Sequence, residues 1–337
     1  MNYTNNMDNI DNIDKNIGET SNIINKRILI VGGTGSLGCA IINKYVNNNE
    51  IICYSRDECK QWEISKTINN KNLKMVIGDM RDYDRLEYII KINDPHIILI
   101  VGAMKHIDIC EKFIHECIKT NINGVDNILN IVEKNNIPSL ETVCFISTDK
   151  ACLPVNVYGM CKAISERNVI SRVNNEKIKF ICVRYGNVLN SRGSIIPLLK
   201  KSIDRDHYDL THVDMTRFIM TLDESVNLIE FAITNANSGD IVIPELRSMK
   251  IIDLLEIFGE KYNKPIKIIG LRPGEKLSES LVCESEIHRV IQSDDSRYKF
   301  IRYNEINKLF NVEDFNSKAS IISKDELEKY LTELSLL

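Results

Sequence analysis

The chain has 337 residues, 43% of them apolar and 27% charged, the balance of a folded, water-soluble protein. Its formal net charge of −4 and its lack of basic runs argue against a nucleic-acid binder, because phosphate neutralisation needs clustered cations. No apolar run approaches the ~20 residues of a membrane helix, and the polar N-terminus lacks a signal-peptide core, so we expect a cytoplasmic protein without a membrane partner.

Two further features concern the parts of the chain that carry no chemistry. The ten cysteines are scattered and form no CxxC pair, so we expect reduced thiols and no metal site. Residues 1–25 are rich in asparagine and are predicted to form a mobile polar lead.

Short β-branched runs alternate with amphipathic stretches along the next part of the chain. In order, the sequence predicts strands at 27–31, 50–54, 73–77, 96–101, 141–147 and 178–185, with helices at 36–46, 58–68, 83–92, 107–133 and 157–173. This alternation predicts an α/β fold with a Rossmann-like, doubly wound parallel sheet.

The domain division follows from the same pattern. We expect residues 26–186 to form the dinucleotide-binding domain, with 214–243 returning to it. Residues 187–213 and 244–337 are broken by Pro and Gly and are predicted to form a smaller lobe, which ends in a helix near 324–336.

A glycine-rich turn directly follows the first predicted strand. Glycines at every third position, after a strand and at a helix start, allow a tight turn and a close approach to a pyrophosphate. A purely structural turn is the alternative. The predicted cofactor contacts here are Gly32, Thr34, Gly35, Ser36, Leu37 and Gly38.

The end of the second strand indicates which dinucleotide is bound. Ser55, Arg56 and Lys60 suit a ribose 2′-phosphate, whereas an NAD site usually has a carboxylate there. The sequence therefore predicts NADP, although Asp57 argues for NAD and the two cations could be solvated helix charges. Asp79 is expected at the adenine edge, with a helix cap as the alternative.

Three residues at the fifth strand and the following helix suggest redox chemistry. Tyr158 and Lys162 are four residues apart and share a helix face, and Thr148 ends the strand upstream. A neighbouring lysine lowers the pKa of a phenol. We therefore predict that Tyr158 acts as acid/base on a substrate hydroxyl that Thr148 orients, while Lys162 lowers the pKa of Tyr158 and binds the nicotinamide ribose.

Ten segments in a fixed order between about 26 and 281 carry a family resemblance. They are 32–38, 54–58, 105–106, 119–121, 148–151, 158–162, 184–188, 191–194, 215–218 and 272–276. The chain thereby resembles the extended short-chain dehydrogenases/reductases, and among them the inverting UDP-N-acetylglucosamine 4,6-dehydratases.

The resemblance implies a hydro-lyase that acts on UDP-N-acetylglucosamine with a bound, recycled NADP. After oxidation at C4, Lys150 would be the base at C5 and Asp149 the acid at the C6 oxygen, with inversion at C5. It also implies a homo-oligomer and cofactor contacts by Met80, Ala103 and Lys105. The alternatives are a retaining dehydratase, a UDP-sugar epimerase, or a non-catalytic NADP-binding protein.

The expected UDP-sugar contacts lie mostly in the second lobe. By resemblance they are Lys105, Asn187, Arg192, Ser194, Arg217, Arg272 and Glu275. Arg217 could instead be structural, and Glu275 could pair with Lys276. The chain departs from the family at Gly102, at Ser278, and at Leu153, where the family favours Asn.

Overall fold

The computed structural model describes residues 21–202, 204–306 and 310–337. Its first half alternates strands and helices as the sequence predicts. The elements are β1 (Arg27–Val31), α1 (Ser36–Tyr45), β2 (Glu50–Ser55), α2 (Glu58–Thr67), β3 (Leu73–Ile77), α3 (Tyr83–Asn93), β4 (Ile97–Ile100), α4 (Ile107–Lys112), α5 (Ile114–Ile118), α6 (Gly124–Lys134), β5 (Thr142–Ile146), α7 (Val157–Ile170) and β6 (Lys179–Val183).

The second half contains shorter elements. They are β7 (Asn187–Val188), α8 (Ile195–Lys201), β8 (Tyr208–Leu210), β9 (Thr216–Met220), α9 (Leu222–Asn235), β10 (Ile241–Pro244), β11 (Arg247–Lys250), α10 (Ile251–Tyr262), β12 (Ile266–Ile268), β13 (Val290–Gln292), β14 (Tyr298–Ile301) and α11 (Lys324–Glu333). Two small sheets, β11-β9-β7 and β12-β8, belong to this half.

The large sheet explains where a ligand can bind. Within the described residues its order is β13-β14-β10-β6-β5-β4-β1-β2-β3. Strands β1 to β6 and β10 run parallel, and an apolar core lies on each face of the sheet. The chain leaves β1 in one direction and returns on its other side at β4, so a crevice opens between these strands at their carboxyl ends. The predicted α/β fold is confirmed.

The domain division differs from the predicted one at two places. Strands β13 and β14 extend the large sheet with antiparallel pairing, although they lie within the predicted lobe. Strand β9 pairs with β11 and β7 in a small sheet rather than returning to the large one. Only the α9 and β10 part of 214–243 joins the dinucleotide-binding domain, where α9 packs against α1 and the sheet.

The predicted helix at 107–133 is divided. Non-helical backbone at Phe113 separates α4 from α5, and a π-helical turn (Lys119–Asn123) separates α5 from α6. Asn121 in this turn is buried, and its side chain pairs with the backbone N–H and C=O of Met104 at 2.8 Å each. Its own carbonyl accepts from Ser165 of α7. The irregular turn thus ties the loop after β4 to α7.

Residues 1–20 of the predicted mobile lead lie outside the described residues. The rest of the lead packs against the fold: Ile23 is buried, and Ser21 and Asn22 both donate to Glu230 of α9. The predicted lead is therefore too long at its C-terminal end.

Across the described parts of the chain, no helix combines the length and the apolar character that a membrane crossing requires.

Candidate active site

The glycine-rich turn between β1 and α1 has the geometry of a phosphate cradle. A Cβ at Gly32 would lie 2.4 Å from the Cα of Gly102, and one at Gly38 would lie 2.3 Å from the carbonyl oxygen of Gly33. Both positions therefore require glycine. Gly35 caps α1 without a side-chain bond, and a Cβ there would meet its nearest heavy atom, Gly32 O, at 3.5 Å. The first turn of α1 carries no acidic residue, so the residues present fit a dinucleotide pyrophosphate.

A loop of the second lobe reaches this cradle. The backbone N–H of Arg192 donates to Ser36 Oγ at 2.9 Å, and its guanidinium donates to the carbonyl of Thr34. Lys105 Nζ donates to the carbonyl of Arg192 at 2.7 Å. Arg192, predicted as a substrate contact, therefore lies on the cofactor side of the crevice. Lys105, predicted for both ligands, lies beside it.

The predicted 2′-phosphate contacts at the end of β2 differ in their exposure and in the partners they already have. Asp57 caps α2 through the N–H of Lys60 and forms an ion pair with the Lys60 ammonium. Ser55 is buried, and its hydroxyl accepts from Gln61 at 2.9 Å. Arg56 is more than half exposed and lies 3.7 Å from Asp79. The cap explains why a carboxylate stands at this strand end, and Arg56 is the cation best placed for a phosphate.

Asp79, Met80 and Ala103 lie in the segments that follow β3 and β4. Although partial burial opposes it, hydrogen bonds from Arg81 lower the pKa of Asp79 and keep it ionised. Met80 is buried against Gly102 and Gly124, and Ala103 is partly exposed in the loop after β4. These positions are compatible with the predicted adenine side of the site.

An acid and a base stand together in the short 3-10 turn (Asp149–Ala151) after β5. Lys150 Nζ lies 2.9 Å from Asp149 Oδ1 and 3.3 Å from Asn187 Oδ1. Asp149 is fully buried, and its Oδ2 has no hydrogen-bond partner among the described residues. Burial raises the pKa of Asp149. Burial also opposes charge on Lys150, but the carboxylates of Asp149 and Glu279 raise its pKa above the ordinary value.

Tyr158 and Lys162 both lie on α7, and burial shifts the pKa of each side chain. Burial raises the pKa of Tyr158 to about 12, opposed by the charge of Lys150 and a hydrogen bond with Thr148. Among the groups that act on the phenol, the cation is Lys150, and the effect of Lys162 on the pKa of Tyr158 stays a prediction. Lys162 is buried, donates to the carbonyl of Ile146 at 2.6 Å, and has a pKa that burial lowers to about 8.

The remaining predicted sugar contacts differ in whether their polar side-chain atoms already have partners in the fold. Arg217 is buried and donates to the backbone carbonyls of Thr216, Lys276 and Leu277, which is the structural role left open by the sequence. Glu275 pairs with Arg272 at 2.5 Å, while Lys276 pairs with Glu279, so the considered Glu275–Lys276 pair is not formed. Ser194 Oγ is buried and lacks a partner within the described residues.

Leu153, between the acid/base pair and Tyr158, has a left-handed backbone with φ of +48°. Asn and Gly adopt this conformation more readily than Leu, which explains the Asn of the family. The Leu153 side chain is exposed. We expect Leu153→Asn to raise the free energy of unfolding by about 1 kcal/mol in urea titrations. Leu153→Ala, the control, should give no gain, and an equal gain would contradict a backbone origin.

Sequence reasoning missed two groups. Glu279 is buried, and its carboxylate lies 3.7 Å from Lys150 Nζ; the pattern of residues 276–279 was the available signal.

The second group brings the ligand atoms of Cys152, Cys283 and Glu286 within 4.8 Å of one another, although the cysteine spacing predicted no metal. Both oxygens of Glu286 accept from the guanidinium of Arg184, so the carboxylate is already used by an ion pair.

Comparisons with known proteins identify the family of the chain. The family model described as polysaccharide biosynthesis protein matches residues 28–300. A protein of Methanocaldococcus jannaschii named uncharacterized membrane protein is 39% identical over 93% of this chain and 97% of its own length. An inverting UDP-N-acetylglucosamine 4,6-dehydratase of Campylobacter jejuni is 38% identical over 88% of this chain and 87% of its own.

Two further relatives complete the comparison. A UDP-glucose 4-epimerase of Rickettsia bellii is 36% identical over 78% of this chain and 80% of its own length. The X-ray structure of Pen from Bacillus thuringiensis superposes with a TM-score of 0.85 at 30% identity, covering 93% of this chain and 99% of that one. The chain belongs to the polysaccharide biosynthesis protein family, within the extended short-chain dehydrogenases/reductases.

Proposed function

We propose that the protein is an NADP-dependent UDP-N-acetylglucosamine 4,6-dehydratase that inverts C5, the first step towards a deoxy-amino sugar. The observation that carries the proposal is the buried Asp149–Lys150 pair, in contact at 2.9 Å beside Thr148 and Tyr158. Oxidation and reduction at C4, as in an epimerase, need neither a second acid nor a second base. Water elimination across C5–C6 needs both.

The Asp149–Lys150 pair can supply both the acid and the base through the proton that Lys150 carries. Transfer of one proton from the Lys150 ammonium to Asp149 breaks an N–H bond, forms an O–H bond, and leaves a neutral amine beside a carboxylic acid. The amine then takes the C5 proton, and the acid protonates the departing C6 hydroxyl, which leaves as water. The pair returns to its ionic form, and burial of Asp149, which favours its protonated state, supports the acid role.

The C4 chemistry uses the hydroxyl groups beside the pair. A bound nicotinamide cofactor would accept hydride from C4 and return it to C6, while C5 would regain a proton that has exchanged with the solvent. Tyr158 takes the C4 hydroxyl proton, and the Lys150 charge and the Thr148 hydroxyl both favour its ionised form. Oxidation to the ketone acidifies the C5 proton, so that an amine suffices as the base.

The product from UDP-N-acetylglucosamine in deuterated water tests the proposal by NMR. We expect a 4-keto-6-deoxy sugar of arabino configuration with deuterium at C5. Retention at C5 would remove the inverting assignment, and a 4-epimer without deuterium at C5 would favour the epimerase, the activity named for the Rickettsia relative. Cofactor binding without turnover of any UDP-hexose would favour a binding protein.

The preference for NADP rests on Arg56. It is exposed at the end of β2, whereas Lys60 is already paired with Asp57. We expect Arg56→Ala to weaken NADP binding about tenfold or more, because it removes a charge-assisted contact, and to leave NAD binding within about twofold. Isothermal titration calorimetry measures both. Lys60→Ala is the matched control with a smaller effect, and equal affinity of the unmodified protein for NAD and NADP would contradict the preference.

The UDP-sugar contacts remain part of this proposal. Asn187 bonds Lys150 directly, and Lys105 lies beside the loop that carries Arg192, so both face the crevice where the sugar nucleotide would lie. Arg272 is two-thirds exposed in its pair with Glu275 and would meet the diphosphate by leaving that carboxylate.

We also propose that two copies of the chain pair through α4, α5 and α7. These helices contact one another and expose apolar side chains, namely Ile109, Phe113, Ile114, Met160 and Ile164. We expect light scattering to show a homo-oligomer and Ile164→Glu to weaken its association at least ~30-fold, as for an interface centre. Leu198→Glu on α8 is the control of similar exposure. An unchanged oligomer in Ile164→Glu would place the interface elsewhere.

A further inference from the structure

The buried carboxylate of Glu279 completes a row of alternating charges behind the proposed acid/base pair. Its Oε1 lies 3.7 Å from Lys150 Nζ, and its Oε2 lies 2.9 Å from Lys276 Nζ. Lys150 in turn contacts Asp149. The order is therefore carboxylate, ammonium, carboxylate, ammonium, and each member is buried or nearly so. Glu279 itself takes no part in the proposed elimination.

The backbone of Glu279 is fixed by a buried serine of the C-terminal segment. Its N–H donates to Ser317 Oγ at 2.9 Å, and its carbonyl accepts from the N–H of Ser317 at 2.8 Å. Ser317 is fully buried, and its hydroxyl lies 2.7 Å from that of Thr216. The position of the carboxylate is thus set from outside the catalytic turn.

Lys276 joins the same row to the segment after the catalytic turn. Its ammonium donates to the carbonyls of Cys152 at 2.9 Å and Leu153 at 3.2 Å. Glu279 therefore touches the reacting lysine on one side and a brace of the catalytic turn on the other.

We propose that Glu279 is a positioning residue that holds the Lys150 amine between Asp149 and Asn187 and sets how many protons the acid/base pair carries. This inference rests on the proposed dehydratase function. The charged and titratable groups that face Lys150 are Asp149, Glu279, Arg217 and Tyr158. Removing the negative charge of Glu279 leaves Arg217 and Lys276 to act on the pair, so the pair binds its protons less tightly.

Glu279→Gln keeps the size of the side chain and removes its charge. We expect the whole pH profile of kcat for C5 deuterium incorporation to move to lower pH by about one unit or more. Glu279→Asp keeps the charge and should leave the profile near its original pH, even if kcat falls. Glu245→Gln, an exposed surface pair with Lys299, is the control with no shift. A fall in kcat without a shift would mean that Glu279 is merely structural.

Lys276→Met gives a change of opposite sign. It removes the cation on the far side of Glu279, so we expect the profile to move to higher pH. This variant tests the role of Glu279 even if Glu279→Gln does not fold. A shift of the pH profile to lower pH, or no shift, in Lys276→Met would overturn the proposal.

A readout without turnover separates the two proposals. In protein labelled with 13C and 15N lysine, the Lys150 signal is identified by its loss in Lys150→Arg, and its titration is followed by NMR. We expect a lower midpoint in Glu279→Gln than in the unmodified protein, whether or not UDP-N-acetylglucosamine is the substrate. An unchanged midpoint overturns the role of Glu279, whereas an inactive protein with a shifted midpoint overturns the proposed reaction alone.

Discussion

Lys150→Met should abolish C5 deuterium incorporation and water loss, with a fall of about 10²- to 10⁴-fold, the contribution of a positioned general base. Methionine keeps the volume of the buried side chain but has no amine. Asp149 loses its cationic partner at 2.9 Å, yet burial already favours its protonated form, so the fold should tolerate the change. NMR of the sugar in deuterated water measures the loss.

The control for Lys150→Met is cofactor binding by calorimetry, which should remain unchanged. Lys150 lies in the turn after β5, while the phosphate cradle follows β1, so the two ligand contacts are separate in the fold. If the variant lost cofactor binding together with activity, Lys150 would be a structural residue and the elimination would need another base.

Arg184→Met should lower the free energy of unfolding by about 3–5 kcal/mol, the cost of breaking a buried ion pair from one side. The guanidinium is buried and lies between the carboxylates of Glu166 and Glu286, which are also buried. Without it, two carboxylates remain in the interior with their charges uncompensated. Urea unfolding measures the effect.

One control variant identifies the origin of this loss. Adding Glu166→Gln and Glu286→Gln to Arg184→Met should recover at least half of the stability, because the uncompensated charges are then gone. A loss below about 1 kcal/mol in the single variant would contradict a buried, charged network.

The same network should leave a signature at acid pH. Although burial opposes it, the Arg184 charge lowers the pKa of Glu286 to about 2, below its unfolded value of ~4.3. A lowered carboxyl pKa contributes stability that is complete above the unfolded value and is lost as the pH falls towards 2. Arg184→Met should therefore flatten the pH dependence of unfolding between these values.

Local sequence signals were enough to predict the geometry of the glycine-rich turn after β1 and of the segment from Thr148 to Tyr158, because each is built within one strand-turn-helix unit. Gly32 and Gly38 are required by backbone contacts that their spacing already implied. Thr148 and Tyr158 are brought together by the turn between β5 and α7. In such cases the residues that act together are also near in the chain.

The remaining parts of the site depend on contacts between distant segments. Glu279 meets Lys150 only because the chain after β12 passes behind the catalytic turn, and no periodicity encodes that path. Arg217 was predicted to bind substrate, but its guanidinium is used by backbone carbonyls of the 276–277 segment. Likewise, pairing of β13 and β14 with the large sheet requires tertiary contacts that a short apolar run does not specify.

The bridge from Arg192 to Thr34 and Ser36 has a kinetic consequence. The two bonds join a loop of the second lobe to the glycine-rich turn between β1 and α1. In the proposed reaction, opening of that loop to admit or release a sugar nucleotide would also loosen this turn, so the residence time of one ligand would depend on occupancy by the other. The proposed reaction returns its redox cofactor to the starting state in each cycle, and this connection between the two segments would favour many turnovers on a single retained cofactor.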